Sequence, residues 1–162
     1  MGQRELILVL GALTLFGLAT LATNRYVNDQ QDEMIQREYE YFGLSLAQSY
    51  VEEAKARAFD ENTIGASPSV PSGLTEGGGL GPEGGEAYPN FDDVDDYRNY
   101  ATTVTTPRGT FNVAIQVRYV QAAAPNTPVN SKELFKRMVV TVANDFMPNP
   151  VQTAYVFGYL KN

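Results

Sequence analysis

The chain has 162 residues, 43% of them hydrophobic, with 12 Lys and Arg against 19 Asp and Glu, a formal net charge of −7. That length suits one ordinary domain, and the acidic balance excludes a phosphate-backbone binder, which needs a basic face. With no Cys and no His, thiol nucleophiles, Cys/His zinc centres, Ser-His-Asp triads and disulfides are excluded as well.

The apolar residues are concentrated at the front. Leu6 to Ala22 is an uncharged run closed by Arg4 and Glu5 on one side and Arg25 on the other. As a helix it spans about 26 Å, close to a bilayer core of about 30 Å. A signal peptide, a permanent single-span anchor and a self-assembling helix compete for this run. The next segment favours the third, because from Val27 to Ala58 there is no Pro and the only Gly is Gly43. Ile35, Tyr39, Phe42, Leu46, Tyr50, Ala54 and Ala58 recur every three or four residues, which marks one face of a helix. The expectation is a single helix from about residue 3 to about residue 58, near 80–85 Å long. Its second half packs on a small domain. Its first half has no partner within the chain and is left with lipid or copies of itself.

Glu5 lies directly against Leu6. An acid entering a bilayer costs about 2.5–3.5 kcal/mol unless it is paired. Either Glu5 and Arg4 sit at the headgroup level, or Glu5 neutralises the N-terminal amine of a neighbouring copy and so sets subunit register.

Residues 60–90 carry eight Gly and four Pro, a composition that supports neither helix nor strand. A loop that long is flexible or functional, and it is expected to order against a neighbouring subunit. Gly77 to Gly85 lacks the Lys of a phosphate-binding loop. Asp92, Asp93, Asp95 and Asp96 then bracket Val94. Calcium takes six to eight oxygens, so these four acids are candidate calcium ligands, although their spacing is not that of an EF-hand. A solvated turn, or a helix-start or turn role for Asp92 or Asp93, is the alternative. Calcium aside, no cofactor is expected.

Four strands are expected after the acids. Tyr97–Thr106 is rich in Thr and Tyr, and Thr106 to Gly109 reads as a turn. Thr110–Ala122 alternates, with Phe111, Val113, Ile115, Val117 and Tyr119 on one face. Ala123–Asn130, with Pro125 and Pro128, reads as a loop. Phe135–Ala143 and Val151–Leu160 complete the set. The fold class is α+β: a long N-terminal helix whose apolar half protrudes and whose second half packs on a four-stranded antiparallel sheet. The divisions are 1–26 (apolar helix), 27–58 (amphipathic helix), 59–96 (loop and acidic cluster) and 97–162 (sheet). No enzyme is expected, since no Ser, Thr, Lys, Tyr or carboxylate is visibly paired for catalysis.

An apolar helix with one early Glu, then an amphipathic half, then a small β domain resembles the type IV pilins, the minor pilins and the type II secretion pseudopilins. The matching opening is Met1 to Leu6, followed by Ile7 to Ala12. Ala47–Asp60, Phe91–Tyr97 and Lys136–Val142 are similar to later segments of those proteins. Gly2, Gln3 and Arg4 depart from the family's apolar residues before the Glu, and the family's Pro near the end of the apolar run is missing. The resemblance implies a structural subunit of an extracellular filament built on bundled N-terminal helices. The minor pilin or pseudopilin and a membrane-anchored exported binding module are the alternatives. Met1, Arg4, Glu5, Leu6, Leu10, Leu13 and Phe16 would serve assembly, and Gly11 and Gly17 would be points of local helix melting. It further implies residence in the inner membrane before assembly and at the cell surface after it. The partners would be copies of itself, the assembly machinery and a prepilin peptidase, with no nucleic acid. Met1 is then either the processed, methylated residue or, with Gly2, the leader.

Overall fold

A computed structural model of the chain describes residues 2–65, 68 and 70–159. The fold is α+β, with one long N-terminal helix, α1 (Gln3–Lys55), and five strands: β1 (Ala101–Thr106), β2 (Gly109–Gln121), β3 (Ala124–Val129), β4 (Phe135–Ala143) and β5 (Val151–Gly158). Two compact units divide the chain at Glu38/Tyr39. The first is helix alone. The second contains the last turns of α1, the Gly/Pro-rich loop and the sheet.

All strand pairs in the sheet are antiparallel, in the order β1-β2-β4-β5, and β3 pairs with β2 off that path. The expected alternation of β2 is present: Phe111, Val113, Ile115, Val117 and Tyr119 are buried. Facing them in β4 are Met138, Val140 and Val142. Ala47, Tyr50, Val51 and Ala54 of α1 close the core from the other layer. These are small or β-branched apart from Tyr50, which lets helix and sheet approach. Gly43 allows one close contact, since a Cβ there would stand 3.1 Å from the Val151 side chain. Ile35, expected on the packed face, is exposed.

Three further expectations change. The helix ends at Lys55 rather than near residue 58. The sheet has a fifth strand, β3, in the segment read as a loop because of Pro125 and Pro128. It pairs with β2 at only three positions, across a register shift at Val120/Gln121. Pro is tolerated at such an edge because no partner beyond it needs its N–H. The Gly/Pro-rich loop also folds on its own sheet unit: Leu74 and Leu80 are buried with Tyr119. Arg98 Nη1 pins it, donating to the carbonyl oxygens of Gly77, Gly78 and Leu80 at 2.9–3.1 Å. The expected end of β5 at Leu160 lies outside the described residues.

Candidate functional site

The apolar segment forms the first place of interest. Leu6, Leu10 and Leu13 lie along one helical face and Phe16 flanks it, all more than half exposed. The other faces are apolar too, and an 18-residue window reaches a mean hydropathy of 2.3 with none of it buried. The helix is therefore long and apolar enough to cross a membrane. Its three threonines bond back to the helix's own carbonyls. Thr14 donates to the Gly11 carbonyl, Thr20 to Phe16 and Thr23 to Ala19, at 2.8–2.9 Å. Hydroxyls bonded this way need no water, which suits an apolar surrounding. Gly11 and Gly17 sit inside α1 with nothing within 4 Å of an added Cβ.

Glu5 occupies the first turn of α1. Its Oε2 accepts the Gly2 N–H at 3.1 Å, and the Glu5 N–H in turn donates to the Gly2 carbonyl. The carboxylate thus covers one of the amide donors that a helix start leaves open and complements the positive end of the helix dipole. Arg4 is exposed beside it. Met1 lies outside the described residues.

The second place is a buried polar cluster in the sheet unit that sequence reasoning missed. Lys136 falls on the inward side of β4, in step with Met138, Val140 and Val142, and is fully buried. Its ammonium donates to Asp60 Oδ2 at 2.7 Å, to Asp95 Oδ1 at 2.5 Å and to the Phe59 carbonyl at 2.7 Å. All three donors are used. The Phe59 and Tyr119 rings flank the charge, with centroids 4.6 and 5.3 Å away. Tyr119 is the β2 residue paired across from Lys136, and its hydroxyl donates to Asp60 Oδ2 at 2.9 Å. Asp60 also accepts the N–H and hydroxyl of Thr75. Burial works to raise the Asp60 pKa. The Lys136 charge and the hydrogen bonds from Lys136, Tyr119 and Thr75 outweigh it and hold the group below the ordinary range. Asp95 moves up instead, because burial outweighs Lys136 there. Burial, then the charge of Asp95 and a hydrogen bond with it, pushes Asp93 up to about 9. No part of the Lys136, Asp60 or Asp95 side chains reaches solvent, so this cluster ties the chain together and offers nothing to a substrate.

The four acids read together from sequence are thereby sent to different places. Asp92 is exposed. Asp93 Oδ1 accepts the N–H groups of Asp95 and Asp96, at 2.7 and 3.1 Å, which holds the turn. Asp95 serves Lys136. Asp96 Oδ2 accepts the N–H groups of Asp92 and Asp93, at 3.0 and 3.2 Å. Of the four, only Asp96 belongs, among the described residues, to a set of three acids with one oxygen each within 4.8 Å of the others, and its companions are Glu83 and Glu86 from the Gly/Pro-rich loop.

No family model, curated protein or solved structure matches the chain.

Proposed function

We propose that the chain is a structural subunit of a type IV pilus-like filament, in which apolar N-terminal helices from many copies bundle into a core. The observation that carries this reading is the run of exposed apolar side chains on every face of a helix that continues without a break to Lys55. A helix apolar all round belongs in lipid or in a protein core. The self-satisfied threonines suit both, so the segment can rest in the inner membrane before assembly and in the bundle after it. The assembly machinery and a prepilin peptidase are the partners this reading requires. The resemblance in element order supports it, and a minor subunit of such a system differs only in copy number.

The test is electron microscopy of sheared surface material from cells carrying the wild-type chain or Glu5→Ala. The expected result is filaments containing the wild-type chain and at least tenfold fewer with Glu5→Ala at equal protein level. Equal filament yield would leave Glu5 as a helix cap and no more. A chain found wholly in the membrane fraction, with no filament containing it, would overturn the reading in favour of a single-span anchor carrying an exported binding module.

A further inference from the structure

We propose that Glu83, Glu86 and Asp96 bind a divalent cation, calcium, which fastens the Gly/Pro-rich loop to the acidic turn. This inference stands apart from the filament reading, since it concerns the sheet unit alone. One carboxylate oxygen from each residue lies within 4.8 Å of the others. Ligands on opposite sides of a calcium ion at about 2.3–2.6 Å are about 4.6–5.2 Å apart, so a single ion can reach all three.

Two unpartnered atoms point to the ligand. Asp96 is 1% exposed, and its Oδ1 is buried with no hydrogen-bond partner, as is Glu83 Oε2. The other Asp96 oxygen is committed to the backbone N–H groups of Asp92 and Asp93, which aims the carboxylate and leaves Oδ1 free. A buried oxygen without a donor costs about 1–3 kcal/mol, more when charged. Among the described residues, none of the three acids forms an ion pair with Lys or Arg. The loop also holds its own ligands in place, since Glu83 N–H donates to Glu86 Oε2 and Glu86 N–H to the Glu83 carbonyl.

The donor set selects the ion. Carboxylate oxygens without His or Cys suit hard cations over zinc, copper or nickel. Magnesium demands near-ideal octahedral geometry at about 2.0–2.1 Å, whereas calcium accepts an irregular shell completed by carbonyls and water. Protons compete for the same oxygens. Burial, then Glu86 and the charges of Asp96 and Glu61, pushes Glu83 up to about 7. Burial raises Asp96 as well, with Glu86 adding to it, against the pull of the Asp92 and Asp93 N–H groups.

The experiment titrates calcium chloride into the full chain in mild detergent after chelator treatment, by calorimetry and thermal melting. One ion per chain is expected, with half-saturation at or below about 10⁻⁴–10⁻³ M. The melting temperature should rise with calcium, with proton release larger at pH 6 than at pH 8, and magnesium chloride should give a smaller shift. Glu83→Gln and Glu86→Gln should weaken binding at least tenfold. Asp92→Asn, exposed and outside the group, should bind as the unaltered chain does. Asp96→Asn also disturbs the turn, so the two loop variants decide the matter. No heat and no melting shift up to about 10 mM calcium, well above the weak end of protein calcium sites, would overturn the proposal. So would unchanged affinity in the loop variants. An equal response to magnesium would overturn the choice of calcium.

Discussion

Replacing Lys136 with Met tests the buried ion cluster directly. Met keeps most of the volume and the apolar stem, and it removes the charge and three hydrogen bonds. Asp60 and Asp95 are then left fully buried without a counterion, and the Phe59 carbonyl loses its donor. Breaking a buried pair from one side costs about 3–5 kcal/mol. With a urea slope of about 2 kcal/mol/M, the unfolding midpoint should fall by about 2 M at pH 7. The assay is urea titration of the full chain in mild detergent, read by near-ultraviolet circular dichroism of the tyrosines, since the chain has ten Tyr and no Trp. Combining Lys136→Met with Asp60→Asn and Asp95→Asn should recover most of the loss, because the three charges of the cluster are then removed together. A midpoint change below about 0.5 M for Lys136→Met alone would mean that the cluster contributes no more than an exposed pair, and the reasoning would fail.

Two other outcomes follow from the same geometry. Arg98→Ala removes the donor shared by three loop carbonyls. Cleavage by protease near Gly77–Leu80 should accelerate about tenfold, the equivalent of about 1.4 kcal/mol of local opening, with little change in the global melting temperature. Asp93 and Glu83 have raised folded-state values, about 9 and about 7, against about 3.9 and 4.3 for the unfolded chain. The folded state therefore holds protons that the unfolded chain releases, and stability should fall as pH rises from about 4 through 7 and on toward 9. Asp60, shifted down, acts in the opposite sense, and its contribution is lost only as pH falls below about 4. In chelator, the melting temperature should be higher at pH 5 than at pH 8, and Asp93→Asn should flatten the difference. A higher value at pH 8 would contradict the assignment.

Periodicity carried most of the architecture. Leu6–Ala22 and the three-to-four spacing through Ala54 mark one helix, and Phe111 to Tyr119 mark the inward face of β2, because those signals are local. β3 was hidden by Pro125 and Pro128, whose turn signals outweigh a short edge pairing with β2. The four acids diverge for a geometric reason. Asp95 and Asp96 open a 3₁₀ turn, Asp95–Tyr97, where successive side chains diverge by about 120°. Neighbours in sequence therefore face Lys136 on one side and Glu83 and Glu86 on the other. Lys136 itself left one clue, a charge at the inward parity of β4. Its partners, 76 and 41 residues away, leave no periodic trace.

The Lys136 cluster joins the segment just beyond α1, the acidic turn and the middle of the sheet in a chain without cysteine. A tie made of charge has no reduction potential. The sheet unit should melt identically in oxidising and strongly reducing buffers, and the tie is complete as soon as the chain folds, with no oxidant or isomerase needed to close it.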